Sequence, residues 1–175
     1  MSKFEDLAKK DKRVRALLKA LHQGTYSIDI EGLEREIDSL HLTRQVRKLK
    51  TEEIIQSFQK KFIEAALQNQ AYRSRLVEIK VKCFRVAAKL EEHISVVRSY
   101  LGITYPNSLR KYRTVGERKQ AINSVLEEPT SFLTKLELKD RELEVIIKDL
   151  DQASFSLKHI IDAMAYNKDT SKVSF

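Results

Sequence analysis

Apolar residues recur at helical spacing along most of the chain, and the longest such stretch runs from Thr51 to Leu101 without a glycine or proline. Because residues three and four apart lie on the same face of a helix, this spacing predicts one packed face. The length predicts a single helix of about fourteen turns, which we expect to end at Gly102. Its apolar seam consists of Tyr72, Leu76, Ile79, Cys83, Val86, Leu90, Ile94, Val97 and Leu101.

A second long helix is predicted from about Ser131 to Asn167, where apolar residues keep a seven-residue spacing for about four heptads. Such heptads predict packing against another long helix or against copies of the same chain. We therefore expect an all-α fold in which long helices pack as a bundle or hairpin, with heptad seams that make the protein a homo-oligomer. The predicted oligomerisation residues are Leu136, Leu143, Ile147, Leu150, Leu157 and Ile161.

The N-terminal part is expected to begin with one amphipathic helix. Ser2 and Glu5 form a capping-box pattern, and apolar spacing continues to His22 beside a lysine- and arginine-rich face. Residues 25–32 alternate like a strand, but a lone strand is not stable among helices, so we expect a connector there. A further helix is predicted over residues 33–50.

Proline and capping signals divide the chain after the longest helix. The segment around Pro106, ITYPNS, predicts a turn from its composition. Thr114 and Glu117 form a second capping-box pattern and predict a short helix up to Glu128. Pro129 is expected to break that helix or to start the next element.

Positive charge is concentrated in the middle of the chain. The 175 residues include 33 Lys and Arg against 25 Asp and Glu, a net charge of +8. Residues 1–43 contain 8 basic and 8 acidic residues, residues 44–119 contain 18 and 7, and residues 120–175 contain 7 and 10. We therefore expect an N-terminal amphipathic helix and connector (1–43), a basic nucleic-acid-binding region (44–119) and a C-terminal oligomerisation region (120–175).

A positive block on long helices favours a polyanionic partner, because counterion release from phosphates gives sequence-independent affinity. An anionic membrane surface is a weaker candidate, because no helix pairs a basic face with exposed Trp or Phe anchors. No apolar run approaches the roughly 18 to 20 residues of a membrane span, and the N-terminus is too charged for a signal peptide. We therefore expect a soluble cytoplasmic protein without a membrane partner.

Two groups of residues are candidates for contact with nucleic acid. Arg75, Lys82, Arg85 and Lys89 fall within about 80° of each other on one flank of the long helix. The segment from Arg98 to Arg113 interleaves basic residues with tyrosines, as a single-strand binder needs for phosphate contacts and base stacking. A solvated flank and a tyrosine-anchored loop are the structural alternatives. The predicted DNA-binding residues are Arg73, Arg75, Lys80, Lys82, Arg85, Lys89, Arg98, Tyr105, Arg110, Lys111, Tyr112 and Arg113.

Catalytic and metal-binding patterns are absent from the sequence. The four histidines have no Cys or carboxylate at metal-ligand spacing, and Cys83 is the only cysteine. There is no phosphate-binding loop, dinucleotide glycine pattern or nucleophile elbow. We expect a protein that is not an enzyme and that needs no cofactor or metal.

Three stretches together resemble the UvsY family of phage recombination mediators. Ser124 to Met164 is similar to the family's C-terminal region, including its closing segment Phe155, Ser156, Leu157, Lys158. Leu67 to Gly102 resembles the family's basic helix, which ends in Tyr100, Leu101, Gly102. Ile28 and Asp29 with Leu33 resemble a short N-terminal motif. The chain departs from the family in its added basic N-terminal helix and in a longer connection between Ile28 and the basic helix. The family's basic pair near the end of that helix has no clean counterpart, since this chain has Arg85 and Lys89 and then the acidic Glu91 and Glu92.

The resemblance implies a non-enzymatic protein of the host-cell cytoplasm that assembles into a homo-oligomeric ring and binds single-stranded DNA. It also implies two protein partners, because the family displaces a single-strand-binding protein and loads a RecA-like recombinase. Two other functions are compatible with the sequence: a coiled-coil scaffold or adaptor with a solvated basic face, and an architectural protein that binds duplex nucleic acid.

Overall fold

The computed structural model describes residues 3–26, 28–46 and 58–170, and within these residues the protein is all-α, which confirms the expected fold class. The start of the longest predicted helix, at 51–57, and its link to the preceding one lie outside the described residues, as does Ser2. The helices in the described part are α1 (Lys3–Lys10), α2 (Lys12–Gln23), α3 (Ile30–Val46), α4 (Phe58–Thr104), α5 (Pro106–Leu109), α6 (Val115–Val125) and α7 (Glu127–Thr170).

The predicted N-terminal helix is divided into α1 and α2 at Asp11. Asp11 has an extended backbone (φ −62°, ψ 140°), and its side chain accepts a hydrogen bond from the amide of Arg13 at 2.8 Å. An aspartate in this position caps the helix that follows it. The prediction of one continuous helix was wrong because this cap stabilises a break that contains neither glycine nor proline.

Helix α4 continues past the glycine at which it was expected to end. Gly102 is helical and exposed, and a Cβ placed there would meet nothing within 4 Å. The helix ends instead at Thr104, and Tyr105 has a non-helical backbone (φ −114°, ψ 43°). The cause is Pro106, because the residue before a proline is disfavoured in the helical region.

The Thr114–Glu117 capping box and Pro129 both mark helix starts in the structure. The capping box of α6 is confirmed: the Thr114 hydroxyl accepts from the Glu117 amide, and the Glu117 side chain accepts from the Thr114 amide. Helix α6 ends at Val125, before the predicted Glu128. Pro129 lies in the first turn of α7, where its missing amide hydrogen leaves no intrahelical bond unmade.

The chain groups into two compact units, each built from segments that are distant in sequence. Unit 1 consists of Met1–Ile28 and Val81–Asp140, and unit 2 consists of Asp29–Lys80 and Arg141–Phe175. Helices α4 and α7 contribute residues to both units. The three functional regions expected from charge are a different division of the chain, and they stay predictions.

Each unit has its own apolar core, and the α4 seam contributes to both. In unit 1 the seam residues Leu90 and Leu101 are fully buried, and Cys83 is 1% exposed, so its predicted packing role is confirmed. Burial raises the pKa of the Cys83 thiol. In the described part of unit 2, the buried apolar residues are Ile37, Leu76, Ile79, Leu143, Ile147 and Leu150.

Helix α2 lies antiparallel along α4 in unit 1. At its beginning, the Asp11 carboxylate accepts a hydrogen bond from the Tyr100 hydroxyl at 3.1 Å. Just past its end, the Tyr26 hydroxyl is 3.1 Å from Nδ1 of His93.

No helix in the described residues combines the length and apolar character that a membrane span requires.

Candidate nucleic-acid interface

The net positive charge of the chain belongs to one of the two compact units. Unit 1 contains 18 Lys and Arg against 10 Asp and Glu, a net charge of +8, whereas unit 2 contains 15 of each and is neutral. Seven basic residues of unit 1 come from its first 28 positions, against three acidic ones. The N-terminal segment therefore supplies half of the excess charge of unit 1, although it is separated in sequence from the basic middle.

The two predicted DNA-binding arginines in unit 2 are paired with acids. The Arg73 guanidinium donates to the carboxylate of Asp151, with Nη2 3.2 Å from Oδ2. The Arg75 guanidinium is paired with both Glu36 and Glu78, and its Nη1 is 2.9 Å from Oε2 of Glu78. The hydrogen bonds that both guanidinium groups donate to these carboxylates raise the pKa of both arginines. A phosphate would have to compete with these carboxylates for the same N–H donors.

Lys80, the third predicted contact in unit 2, is also paired. Its Nζ lies 3.6 Å from Oε2 of Glu144. Glu144 also accepts a hydrogen bond from Lys148 at 2.7 Å. This hydrogen bond, the charge of Lys148 and the charge of Lys80 lower the pKa of the Glu144 carboxyl. The three predicted residues of unit 2 are thus already engaged within the protein.

Among the described residues, the predicted basic contacts in unit 1 have no acidic partner. All are exposed, and none makes an ion pair within the part of the chain that the structure describes. Their charge is therefore available to a ligand, unlike that of the arginines in unit 2. These residues are Lys82, Arg85, Lys89, Arg98, Arg110, Lys111 and Arg113.

The α4 helix brings three of these residues onto one flank and leaves one apart. Lys82, Arg85 and Lys89 fall within about 60° of each other around the helix. Tyr100 lies on the same flank, nearly in line with Lys82, and about 27 Å further along the axis. Arg98 projects from the other side, about 160° around the helix from Lys82. The predicted residues therefore form a basic flank of α4 (Lys82, Arg85, Lys89) and a separate Arg98.

The basic loop after α5 is fixed by the cap of α6. The carboxylate of Glu117 accepts a hydrogen bond from the Arg113 amide at 2.7 Å. The Arg118 side chain donates from Nε to the carbonyl oxygen of Tyr112 at 3.2 Å. These bonds hold the loop backbone, whereas the Arg110 and Lys111 side chains remain exposed.

Tyr105 and Tyr112 pack against the N-terminal helix. The Phe4 ring meets both in edge-to-face geometry, with centroid distances of 6.1 Å to Tyr105 and 6.4 Å to Tyr112. Both tyrosines are partly buried beside the core of unit 1. These are the contacts expected if the tyrosines anchor the loop, and their stacking on bases stays a prediction.

One carboxylate joins the start of α2 to two tyrosines. Oδ2 of Asp11 accepts from the hydroxyls of Tyr105 at 2.8 Å and Tyr100 at 3.1 Å. Burial alone would raise the pKa of the Asp11 carboxyl, but hydrogen bonds from Tyr105, the Arg13 amide and Tyr100 outweigh it and lower the pKa. The bond to Asp11 raises the pKa of Tyr105 to about 12.

Arg13, in the first turn of α2, is a further basic residue next to Tyr100. Its guanidinium carbon lies 4.0 Å from the centroid of the Tyr100 ring. Sequence reasoning recognised a basic N-terminal helix but did not select Arg13 or Tyr100 as site residues. No local signal relates them, because 86 residues separate the two positions in the chain. The contact follows only from the antiparallel placement of α2 on α4.

The predicted oligomerisation residues lie mainly inside the chain's own cores. Leu136, Leu143 and Leu150 are at most 2% exposed, and Ile147 is 9% exposed. Leu157 is partly exposed, and the side chain of Ile161 lies outside the described part. The outward face of α7 carries other apolar side chains, namely Leu138, Val145, Phe155 and Ile160.

Within the described residues, no group of three or more His, Cys, Asp or Glu side chains is arranged to hold a metal ion. No known protein family, characterised protein or solved structure matches the chain. The resemblance to recombination mediators therefore rests on the three stretches quoted above.

Proposed function

We propose that the protein is a non-enzymatic recombination mediator that binds single-stranded DNA through unit 1. The observation that carries the DNA-binding part is the location of the whole net charge of +8 in unit 1. The predicted contacts there make no ion pairs in the described residues, whereas those of unit 2 are paired. Free cationic groups on one unit are what phosphate binding by counterion release requires.

The mediator part of the proposal comes from the family resemblance. It assigns the protein a homo-oligomeric, ring-forming state and two protein partners, a single-strand-binding protein that it displaces and a RecA-like recombinase that it loads. Light scattering at micromolar concentration tests the assembly, and a strict monomer would contradict it. Leu136, Leu143 and Leu150 are covered within one chain, so copies can meet through them only if they leave these cores.

The salt dependence of binding to a short oligonucleotide tests DNA binding directly. We expect the affinity for a single strand to fall steeply with salt and to exceed the affinity for a duplex of the same length. The combined change Lys82→Gln, Arg85→Gln, Lys89→Gln should lower the slope of log affinity against log salt by about 2, because each lost phosphate contact contributes about 0.7 on a single strand. An unchanged slope would show that the basic flank of α4 is only solvated.

A matched control exists in unit 2. The change Arg73→Gln with Arg75→Gln also removes positive charge from α4, but from groups that are already paired. We expect it to leave the slope nearly unchanged. Equal losses from both sets of variants would mean that net charge alone, rather than unit 1, controls binding.

The same measurement separates the alternatives. A coiled-coil scaffold should bind neither oligonucleotide with a salt-dependent affinity. An architectural protein should prefer the duplex, because its binding energy comes from bending and wrapping a double helix.

A further inference from the structure

The Arg13 side chain is stacked on an aromatic ring at the surface of unit 1. Its guanidinium carbon is 4.0 Å from the Tyr100 ring centroid, well within the range of about 6 Å for a cation–π contact. Arg13 is exposed and makes no ion pair in the described part of the chain. One side of the guanidinium therefore lies over the ring, and because the side chain is exposed, a ligand can approach the group from solvent.

Both members of this pair are positioned by Asp11. Its Oδ1 accepts from the Arg13 amide at 2.8 Å, and its Oδ2 accepts from the Tyr100 hydroxyl at 3.1 Å. A second hydroxyl, that of Tyr105, also donates to Oδ2. The Asp11 carboxylate thus accepts hydrogen bonds from one amide and two hydroxyl groups, and not from the Arg13 guanidinium. The stacked pair is organised before any ligand arrives, so binding does not have to order it.

The pair continues the basic flank of α4. Tyr100 projects within about 60° of Lys82, Arg85 and Lys89 around the helix axis. A strand that contacts the lysines through its phosphates would therefore be led along the same flank towards Arg13. Arginine differs from lysine at such a place, because its flat, delocalised cation can stack on a second π-system.

We propose that the Arg13–Tyr100 pair is a stacking platform for a base of single-stranded DNA. The base lies on the accessible side of the guanidinium, while the basic flank of α4 holds phosphates a few nucleotides further along the strand, since Lys89 lies about 16 Å before Tyr100 on the helix. This inference rests on the proposed DNA binding and adds the contact that distinguishes strands. In a duplex both faces of each base are covered by stacked neighbours, so the platform favours single strands.

The test compares Arg13→Lys with Arg15→Lys on two single strands of equal length, one of thymidines and one in which every nucleotide is abasic. Both variants keep the charge, and Arg15 is an exposed residue of the same helix with no aromatic partner in the described residues. We expect Arg13→Lys to weaken binding to the thymidine strand about 5- to 150-fold, the range that corresponds to one stacked base. On the abasic strand it should bind like the wild type. Arg15→Lys should bind both strands normally.

Equal binding of Arg13→Lys and wild type to the thymidine strand would overturn the platform, and so would an equal loss on both strands. A lowered unfolding temperature with normal affinity would assign the pair a structural role instead. Tyr100→Phe keeps the ring and should retain most of the affinity, whereas Tyr100→Leu should reproduce the Arg13→Lys loss. If the wild type shows no salt-dependent binding to either strand, the proposed function itself fails.

Discussion

Units 1 and 2 are built on the same two long helices but use their basic residues in opposite ways. In unit 2, Arg73 and Arg75 are bound by carboxylates, and the unit is neutral. In unit 1, Lys82 and Lys89 have no acidic partner among the described residues, although they lie only about two and about four turns beyond Arg75 along α4. The same side chain chemistry on one helix therefore serves internal pairing in one unit and remains open to a ligand in the other.

This difference shows why a count of charges along a sequence is a poor guide to a binding surface. Residues 44–119 carry a large positive excess in sequence, but part of it is cancelled in unit 2 by acids from α3 and α7. Exposed ion pairs add little to stability because water screens them. Their main consequence here is to remove arginines from the charge that a polyanion can use.

The largest effect is expected from core residues, one in each unit. Leu101 in unit 1 and Leu143 in unit 2 are both fully buried. Each change to alanine should cost about 2 to 5 kcal/mol of unfolding free energy, because it removes buried methyl groups and leaves a cavity. Chemical denaturation measures the total, and amide hydrogen exchange shows which helices lose protection.

Hydrogen exchange makes this comparison informative. Leu101→Ala should lower protection mainly in unit 1, and Leu143→Ala mainly in unit 2. Leu138→Ala is the matched control on α7, because that side chain is 58% exposed and should be nearly neutral. The same loss of protection in both units from either core variant would show that they unfold as one cooperative structure.

A smaller effect is expected from the helix caps, again one in each unit. Asp11 caps α2, and Asp29 accepts a hydrogen bond from the Gly32 amide at 2.8 Å in the first turn of α3. Loss of a cap costs about 1 kcal/mol, within a range of 0.5 to 2. Asp11→Ala should cost more than Asp29→Ala, because it also leaves two tyrosine hydroxyls without their acceptor.

The contribution of Asp11 has a defined pH dependence. Its carboxyl has a pKa below the ordinary value of 3.8 in the folded protein, so the unfolded chain takes up this proton first as the pH falls. The stabilisation is complete above about pH 4 and is lost as the pH falls through the lower folded pKa. Thermal unfolding should therefore separate wild type from Asp11→Ala at neutral pH and bring them together in acid. A constant difference across this range would contradict the assigned hydrogen bonds.

The parts of this fold that sequence could predict are those set by neighbours in the chain. Helical periodicity identified the α4 seam, and Leu76, Leu90 and Leu101 are all buried as expected. The Thr114–Glu117 capping box was found because its two partners are three residues apart. The break at Asp11 was missed because apolar spacing continues across it.

The candidate site depends on contacts that no local pattern encodes. The pairing of Arg75 with Glu36 joins residues 39 positions apart, and that of Arg73 with Asp151 joins residues 78 positions apart. Before folding, nothing distinguishes these arginines from Arg85, which stays unpaired in the described structure. The charge of a residue can be predicted from sequence, but its availability requires the tertiary structure.

The smallest effect is expected from the exposed ion pair between Arg75 and Glu36. Substituting each partner in turn tests whether DNA reaches unit 2. Arg75→Gln and Glu36→Gln each break the pair, so each should lower the unfolding temperature slightly at low salt and hardly at all at high salt. Neither should alter single-strand affinity if DNA contacts only unit 1. If DNA instead reaches unit 2, the two variants must diverge. Arg75→Gln would then lower the salt slope by about 0.7. Glu36→Gln would strengthen binding, because it removes the carboxylate that accepts from Nε and Nη2 of Arg75 and leaves these donors to phosphate. Fluorescence titration of a labelled oligonucleotide at several salt concentrations distinguishes these results, and divergence would extend the binding surface beyond unit 1.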